Sequence, residues 1–330
     1  MRARFRLPIR LAAATLAIGC GSAAALPPGA RASASGAPAF EELAGATYAG
    51  LQDQGAPVTL RDGLWQGPPF VEGGAARPEL RLVRDFRVEG DLDGDGAPEA
   101  VALLAQSSGG TGSRVYAVVA ARRDAAVVNR GTALLGDRVQ VRAARIDAGR
   151  LLFFVVRAGP EDAMCCPGEL TVQGFELRPG AGLEPVAACE SPGRLSPVVM
   201  GGAEWVLKAW DFGDPAPAEP TVTLAYRDGK LSGSAGCNRY FAAASPGDGP
   251  GAIAIGSVGA TRMACPEPVE AVEERFLDQL GRVERFGFLA GRLALTYRGD
   301  AGIRSMLFEA GPAGATGEDP GDALQALFCR

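Results

Sequence analysis

The chain has 330 residues, 47% of them hydrophobic, with 33 Lys+Arg against 38 Asp+Glu and a formal net charge of −5; this is length for about two domains and apolar material for a sizeable core. It contains no histidine, which excludes a Ser-His-Asp triad, a Cys-His dyad, a His-ligated zinc and any imidazole general base. A net-acidic chain without a basic run also argues against a nucleic-acid partner, because phosphate binding needs clustered Lys and Arg.

Residues 1–25 read as an export signal, with Arg2, Arg4, Arg6 and Arg10 ahead of the short apolar run Leu11–Ile18 and small residues after it. That run is shorter than the roughly 20 apolar residues of a permanent span, and no other segment reaches that length, so no transmembrane helix is expected in the mature chain. Leu16-Ala17-Ile18-Gly19-Cys20 resembles a bacterial lipobox, with Ala17 where Leu is usual. The resemblance implies residues 1–19 as a lipoprotein signal, an acylated Cys20 as the anchor, and an envelope location, periplasm-facing and at the outer membrane; ordinary cleavage near Ala23–Ala25 is the alternative. Cleavage before Cys20 removes the four arginines and leaves the remainder more acidic. Residues 20–39, rich in Ala, Pro, Ser and Gly, then read as a flexible tether. Six further cysteines, Cys165, Cys166, Cys189, Cys237, Cys265 and Cys329, are an even number in an exported chain and point to disulfides, with the connectivity left open.

The 46 Gly and 24 Pro favour turns and short strands over long helices, and residues 40–178 read as a β-rich N-terminal domain. Its apolar runs are Val101–Ala105, Val115–Ala121, Val139–Ile146, Leu151–Val156 and Leu170–Leu177, at strand length and rich in β-branched and aromatic residues. Tight turns are expected at Asp147-Ala148-Gly149 and Arg130-Gly131. Asp91, Asp93, Asp95 and Glu99 fall at positions 1, 3, 5 and 9 of an acidic loop with Gly96 at position 6, a spacing that can converge oxygens on a structural Ca²⁺. Position 12 is Ala102, so the loop departs from a full EF-hand; over this short piece it resembles the strand-flanked loops of FG-GAP-type repeats, and an acidic turn without metal is the alternative. Ser107–Ser113 is glycine-rich without the Gly-Lys-Ser/Thr ending of a P-loop, hence a hairpin connection. Adjacent Cys165 and Cys166 are expected not to bond each other, one of them pairing elsewhere, with Cys189 as the candidate. Residues 179–203 read as a linker from their prolines and glycines.

From Glu204 onward, Thr221–Tyr226 reads as a strand, Asp228-Gly229 as a hairpin turn into Lys230–Ser234, and Ala252–Ile255 as another strand. Val269, Val272, Phe276, Leu280 and Val283 recur at helical spacing behind Pro266 and Pro268, which predicts a helix over Glu267–Val283. Strands Leu293–Tyr297 and Arg304–Phe308 pair across Gly299–Gly302, and 311–330 is a tail. Gly233-Ser234-Ala235-Gly236-Cys237-Asn238-Arg239-Tyr240, then Thr261-Arg262-Met263-Ala264-Cys265-Pro266, then the acidic helix and the Leu-Ala-Leu strand, together resemble the META (HslJ-like) domain over about residues 204–310. The resemblance implies a small antiparallel β-barrel with one packed helix, with Gly236, Asn238, Thr261, Arg262 and Met263 as its motif residues, in a class of envelope proteins associated with stress tolerance and with no enzymatic activity. On that topology Cys237 and Cys265 can meet in a disulfide, worth about 3–4 kcal/mol in the chain-entropy model; a redox or metal-binding thiol pair is the sharper alternative. Asn238 is expected to serve a turn by bonding nearby backbone. Arg239, Tyr240 and Arg262 either line a binding surface or pack.

The expected whole is mainly β, two antiparallel β-rich domains with the META-like barrel second. The expected function is that of a non-enzymatic envelope lipoprotein binding a small apolar ligand or an envelope protein, with no cofactor required beyond a structural Ca²⁺. An inhibitor or adaptor of an envelope enzyme is the neighbouring reading, and a hydrolase working through two carboxylates is the enzyme alternative.

Overall fold

The computed structural model describes residues 36–330, apart from 53, 125, 164, 190–191, 301, 312–319 and 329–330. A short helix α1 (Phe40–Leu43) and strands β1 (Thr47–Tyr48), β2 (Val58–Thr59) and β3 (Leu64–Gln66) lead into β4 (Glu79–Gly90), β5 (Glu99–Ser107), β6 (Ser113–Arg123) and β7 (Ala126–Asp137). Strands β3 to β7 form one antiparallel sheet in chain order. A second follows from β8 (Gln140–Asp147), β9 (Arg150–Arg157), β10 (Glu169–Arg178), β11 (Gly182–Val186) and β12 (Gly193–Arg194), in the order β11-β10-β9-β8 with β12 on β10.

Burial explains why β5, β6 and β9 are unbroken apolar runs. A strand covered on both faces needs no polar alternation, and here alternate residues serve different cores. Ala100, Ala102 and Leu104 of β5, with Tyr116 and Val118 of β6, pack beneath Leu43, Tyr48 and Leu60 of the N-terminal segment. Val101, Leu103, Ala117 and Val119 face the second sheet and meet Leu151, Phe153 and Val155 of β9. The other face of β9, Leu152, Phe154 and Val156, enters a third core with Trp205, Phe288 and Phe308 of the C-terminal half. The layers are therefore N-terminal segment, first sheet, second sheet and C-terminal barrel.

The barrel takes β13 (Glu204–Asp211), β14 (Asp214–Pro215), β15 (Thr223–Arg227), β16 (Lys230–Ser234), β17 (Arg239–Pro246), β18 (Ile253–Ile255) and β19 (Gly259–Ala260). Helix α2 (Glu267–Gly281) precedes β20 (Val283–Leu289), β21 (Arg292–Gly299) and β22 (Gly302–Ala310). The order β18-β17-β16-β15-β13-β22-β21-β20 nearly closes on itself through an Ala252–Arg285 bridge and the Phe286 N–H donating to the Gly251 carbonyl at 2.7 Å. The β15–β16 turn carries positive φ at both Asp228 (49°) and Gly229 (75°), the backbone that a two-residue hairpin requires. Helix α2 buries Phe276 and Leu280, and Phe276 meets Tyr240 edge-on at 5.2 Å between ring centroids.

Three local expectations differ from the structure. Arg130-Gly131 is no turn but lies inside β7 at a bulge, where a Cβ on Gly131 would come within 2.7 Å of the Leu183 nitrogen on β11; glycine lets the two sheets touch. Residues 179–203 contribute β11, β12 and a 3-10 turn (Pro197–Met200) rather than a free linker, because their few apolar residues, Leu183, Val199 and Met200, are buried. The tail holds α3 (Pro320–Phe328), whose Phe328 ring packs edge-on against Phe154 at 5.6 Å. Among the described residues no helix is long and apolar enough to cross a membrane. The export signal, Cys20 and Cys329 lie outside the described residues.

Candidate functional site

The two C-terminal motifs converge on Asn238, which is 3% exposed. The turn before it closes without the Asn238 side chain: the Ala235 N–H donates to the Asn238 carbonyl at 2.8 Å and the Gly236 N–H to the Ser234 hydroxyl at 3.3 Å, with Gly236 at φ 119° where a side chain would be strained. The Asn238 side chain therefore does not bond nearby backbone as expected but reaches the second motif. Its Oδ1 accepts from the Thr261 hydroxyl at 2.7 Å and the Met263 N–H at 2.8 Å, and its Nδ2 donates to Glu273 Oε1 at 2.9 Å and the Met263 carbonyl at 3.3 Å. Glu273, on α2, also accepts the Asn238 N–H at 2.6 Å. A disulfide joins Cys237 to Cys265 with Cα atoms 6.3 Å apart. Cys237, Cys265 and Glu273 lie within metal-ligand reach of one another, but the sulfurs are bonded together and the carboxylate is taken by Asn238. One amide thus ties a turn, a loop and a helix, and a donor–acceptor side chain is the residue type that can do so.

Tyr240 packs, its hydroxyl donating to the Thr223 carbonyl at 3.0 Å. Arg239, Arg262 and Met263 stand outside the core, Met263 at 60% exposure.

The acidic loop joins β4 to β5. Asp91 accepts the Gly94 and Gly96 N–H groups at 2.7 and 3.0 Å, and Asp95 accepts that of Ala97 at 2.8 Å. Glu99, 1% exposed, accepts the Leu92 N–H at 2.8 Å. Burial, with Asp93 and Asp95 nearby, raises its carboxyl above the ordinary value. Oxygens of Asp91, Asp93 and Glu99 lie within 4.8 Å of one another, a set that excludes Asp95. The Arg130 guanidinium sits on Asp93 at 2.7 Å, so a calcium ion fits this donor set only by sharing Asp93 with an internal cation.

The barrel meets the second sheet along β8 and β20. Arg142 of β8 is buried with its guanidinium 4.3 Å from the Trp205 ring centroid and 5.2 Å from that of Phe288, and burial lowers its pKa to about 10. Gln140 Oε1 accepts the Phe288 N–H at 2.8 Å, and the Gly291 N–H donates to the Val141 carbonyl at 2.8 Å. Across this seam lies the loop 158–168, built on Asp162. Its carboxylate accepts the Gly159 and Gly168 N–H groups, each at 2.8 Å, and pairs with Arg194 at 2.8 Å. Arg194, aided by those N–H groups, holds the Asp162 carboxyl below its usual value. Cys165 and Cys166 are bonded to each other, contrary to expectation: a turn closed by the Cys166 N–H on the Ala163 carbonyl at 2.8 Å sets them side by side. Cys189 is bonded in another disulfide and lies beside the Phe328 carbonyl, 3.5 Å from its sulfur. Neither the seam nor the Asn238 network announces itself in residue spacing; the adjacent pair Cys165-Cys166 was the one visible sign of the first.

A nearly closed antiparallel barrel, one helix across it and a disulfide-stapled asparagine hub define a small β-barrel module. Residues 198–309 match the model of the META domain family, and this part of the chain is a META domain. The solved NMR structure of a protein from Burkholderia xenovorans is 26% identical and covers 39% of this chain and 97% of its own, with a TM-score of 0.28. No curated protein matches the chain.

Proposed function

We propose that the chain is a non-catalytic protein of the bacterial envelope, anchored by an acylated Cys20, whose META barrel binds a small ligand or an envelope protein in stress tolerance. The reading is supported first by the signature itself. Asn238, Thr261, Cys237, Cys265 and Glu273 are all consumed in bonds that hold the barrel together, so the motif supplies rigidity and leaves recognition to the surfaces and clefts around it. The lipobox-like Leu16–Cys20 supports the anchor. A structural Ca²⁺ held by Asp91, Asp93 and Glu99 belongs to the same reading, as a stiffener of the β4–β5 loop.

Native mass spectrometry of the protein extracted from its own envelope tests it. The expected mass carries acyl chains at Cys20 and a retained small molecule or protein. A chain beginning after Ala25 removes the anchor. Turnover of a generic envelope substrate, lost on replacing one carboxylate, replaces binding by catalysis.

A further inference from the structure

The seam described above opens into a cleft of about 280 Å³ that neither half forms alone, walled by Gln140 and the 165–167 segment on one side and by Pro250, Gly251 and Arg285 on the other. This volume is at the small end for ligand sites, near the size of an amino acid. Its charged and amide groups are donors. Arg285 gives one Nη to the Pro250 carbonyl at 2.6 Å and has no carboxylate partner among the described residues. Gln140 spends its oxygen on the Phe288 N–H, which leaves its NH₂ as the remaining polar group. The apolar part of the lining comes from the Cys165–Cys166 disulfide with Pro167 and Leu195. The walls approach as closely as glycine allows. A Cβ on Gly287 would lie 2.8 Å from Gln140 Oε1, and one on Gly168 2.7 Å from Pro250 Cγ. Arg142, clamped between Trp205 and Phe288 two residues from Gln140, fixes β8 against β20.

A guanidinium with no carboxylate partner among the described residues and an amide NH₂, beside an apolar surface in a rigid seat, suit one chemistry. We propose that this cleft binds a small carboxylic acid bearing an apolar group, with Arg285 and the Gln140 amide on the carboxylate and the disulfide and Pro167 against the apolar part. The proposal rests on the binding reading above and names its site and ligand class. Pre-formed walls favour it, because little ordering is left to be done on binding.

The test titrates the full, disulfide-intact chain with N-acetyl-leucine and, separately, with N-acetyl-leucine amide, followed by amide NMR shifts. The acid is expected to saturate and to move Gly251, Gly287 and Thr296, and the amide to bind at least about tenfold more weakly, as loss of a charge-assisted contact implies. Arg285→Gln should lose a similar factor for the acid while keeping its melting temperature, and Arg285→Lys should recover part of it. Equal affinity for acid and amide, unchanged binding in Arg285→Gln, shifts confined to residues away from the seam, or no saturation by N-acetyl-leucine would each overturn the proposal. A molecule retained in the native mass spectrum alongside any of these outcomes leaves the general binding reading standing while the cleft assignment falls.

Discussion

Asn238 carries both motifs on one amide, and its replacement separates the ways in which it acts. Asn238→Ala leaves Glu273 and the Met263 backbone groups without their partner in a nearly closed site, which is expected to cost about 2–4 kcal/mol in denaturant unfolding. Asn238→Asp should cost more, because it sets a second carboxylate against Glu273 at hydrogen-bond distance; a variant as stable as the parent would show the hub to be dispensable. Asp162 gives a pH signature. Its folded pKa lies below the unfolded 3.8, so its contribution is fully present above that value and is lost as pH falls through the folded one. Asp162→Asn should therefore lower the melting temperature at neutral pH and shrink the further loss below pH 3.8, read from thermal melts across that range. Asn238 was legible in the sequence as a member of a motif, but its partners were not: they lie on a loop and a helix that local turn chemistry does not reach. Asp162 was not legible at all, since nothing distinguishes one loop acid from another until the chain folds around it.

At the scale of elements, apolar runs exposed the interior strands and concealed the others. β5, β6, β8, β9 and β10 are legible because both of their faces, or nearly so, are covered, whereas β4 and β7 alternate buried with charged or small residues and carry no such run. Helix α2 was legible to within two residues at its C-terminal end, where Val283 begins β20 instead. Between β15 and β16 the chain depends on Gly233, whose missing Cβ would otherwise collide with the Thr223 carbonyl. Gly233→Ala should push the strands apart and destabilise the barrel by about 2 kcal/mol or more, detectable as lost amide-exchange protection in both strands. The β4–β5 loop makes the calcium prediction: about 1 mM Ca²⁺, the affinity range of extracellular modules, should raise the melting temperature by mass action. Asp93→Ala should abolish that increment, whatever it does to the baseline through Arg130. No shift with Ca²⁺ would remove the metal.

For the whole molecule, the β-rich first part and the barrel share a core through β9. Composition marks 179–203 as loop-like, yet its scattered apolar residues are drawn into the shared core, and an apolar strand does not reveal how many cores it serves. Because Trp205 and Phe288 pack on β9 and Arg142 as well as within the barrel, residues 198–310 expressed alone should expose this face and self-associate or melt well below the full chain. A separate, equally stable transition for that fragment, seen by calorimetry, would show the halves to be independent.

Phe153 and Phe154 are neighbours in sequence that look into different cores, and Phe154 is covered by Phe328. The centre of the chain is thus completed by a segment that leaves the ribosome long after it. Until that segment arrives, β9 presents a bare greasy face, so a nonsense codon upstream of α3 is expected to uncover the middle of the molecule.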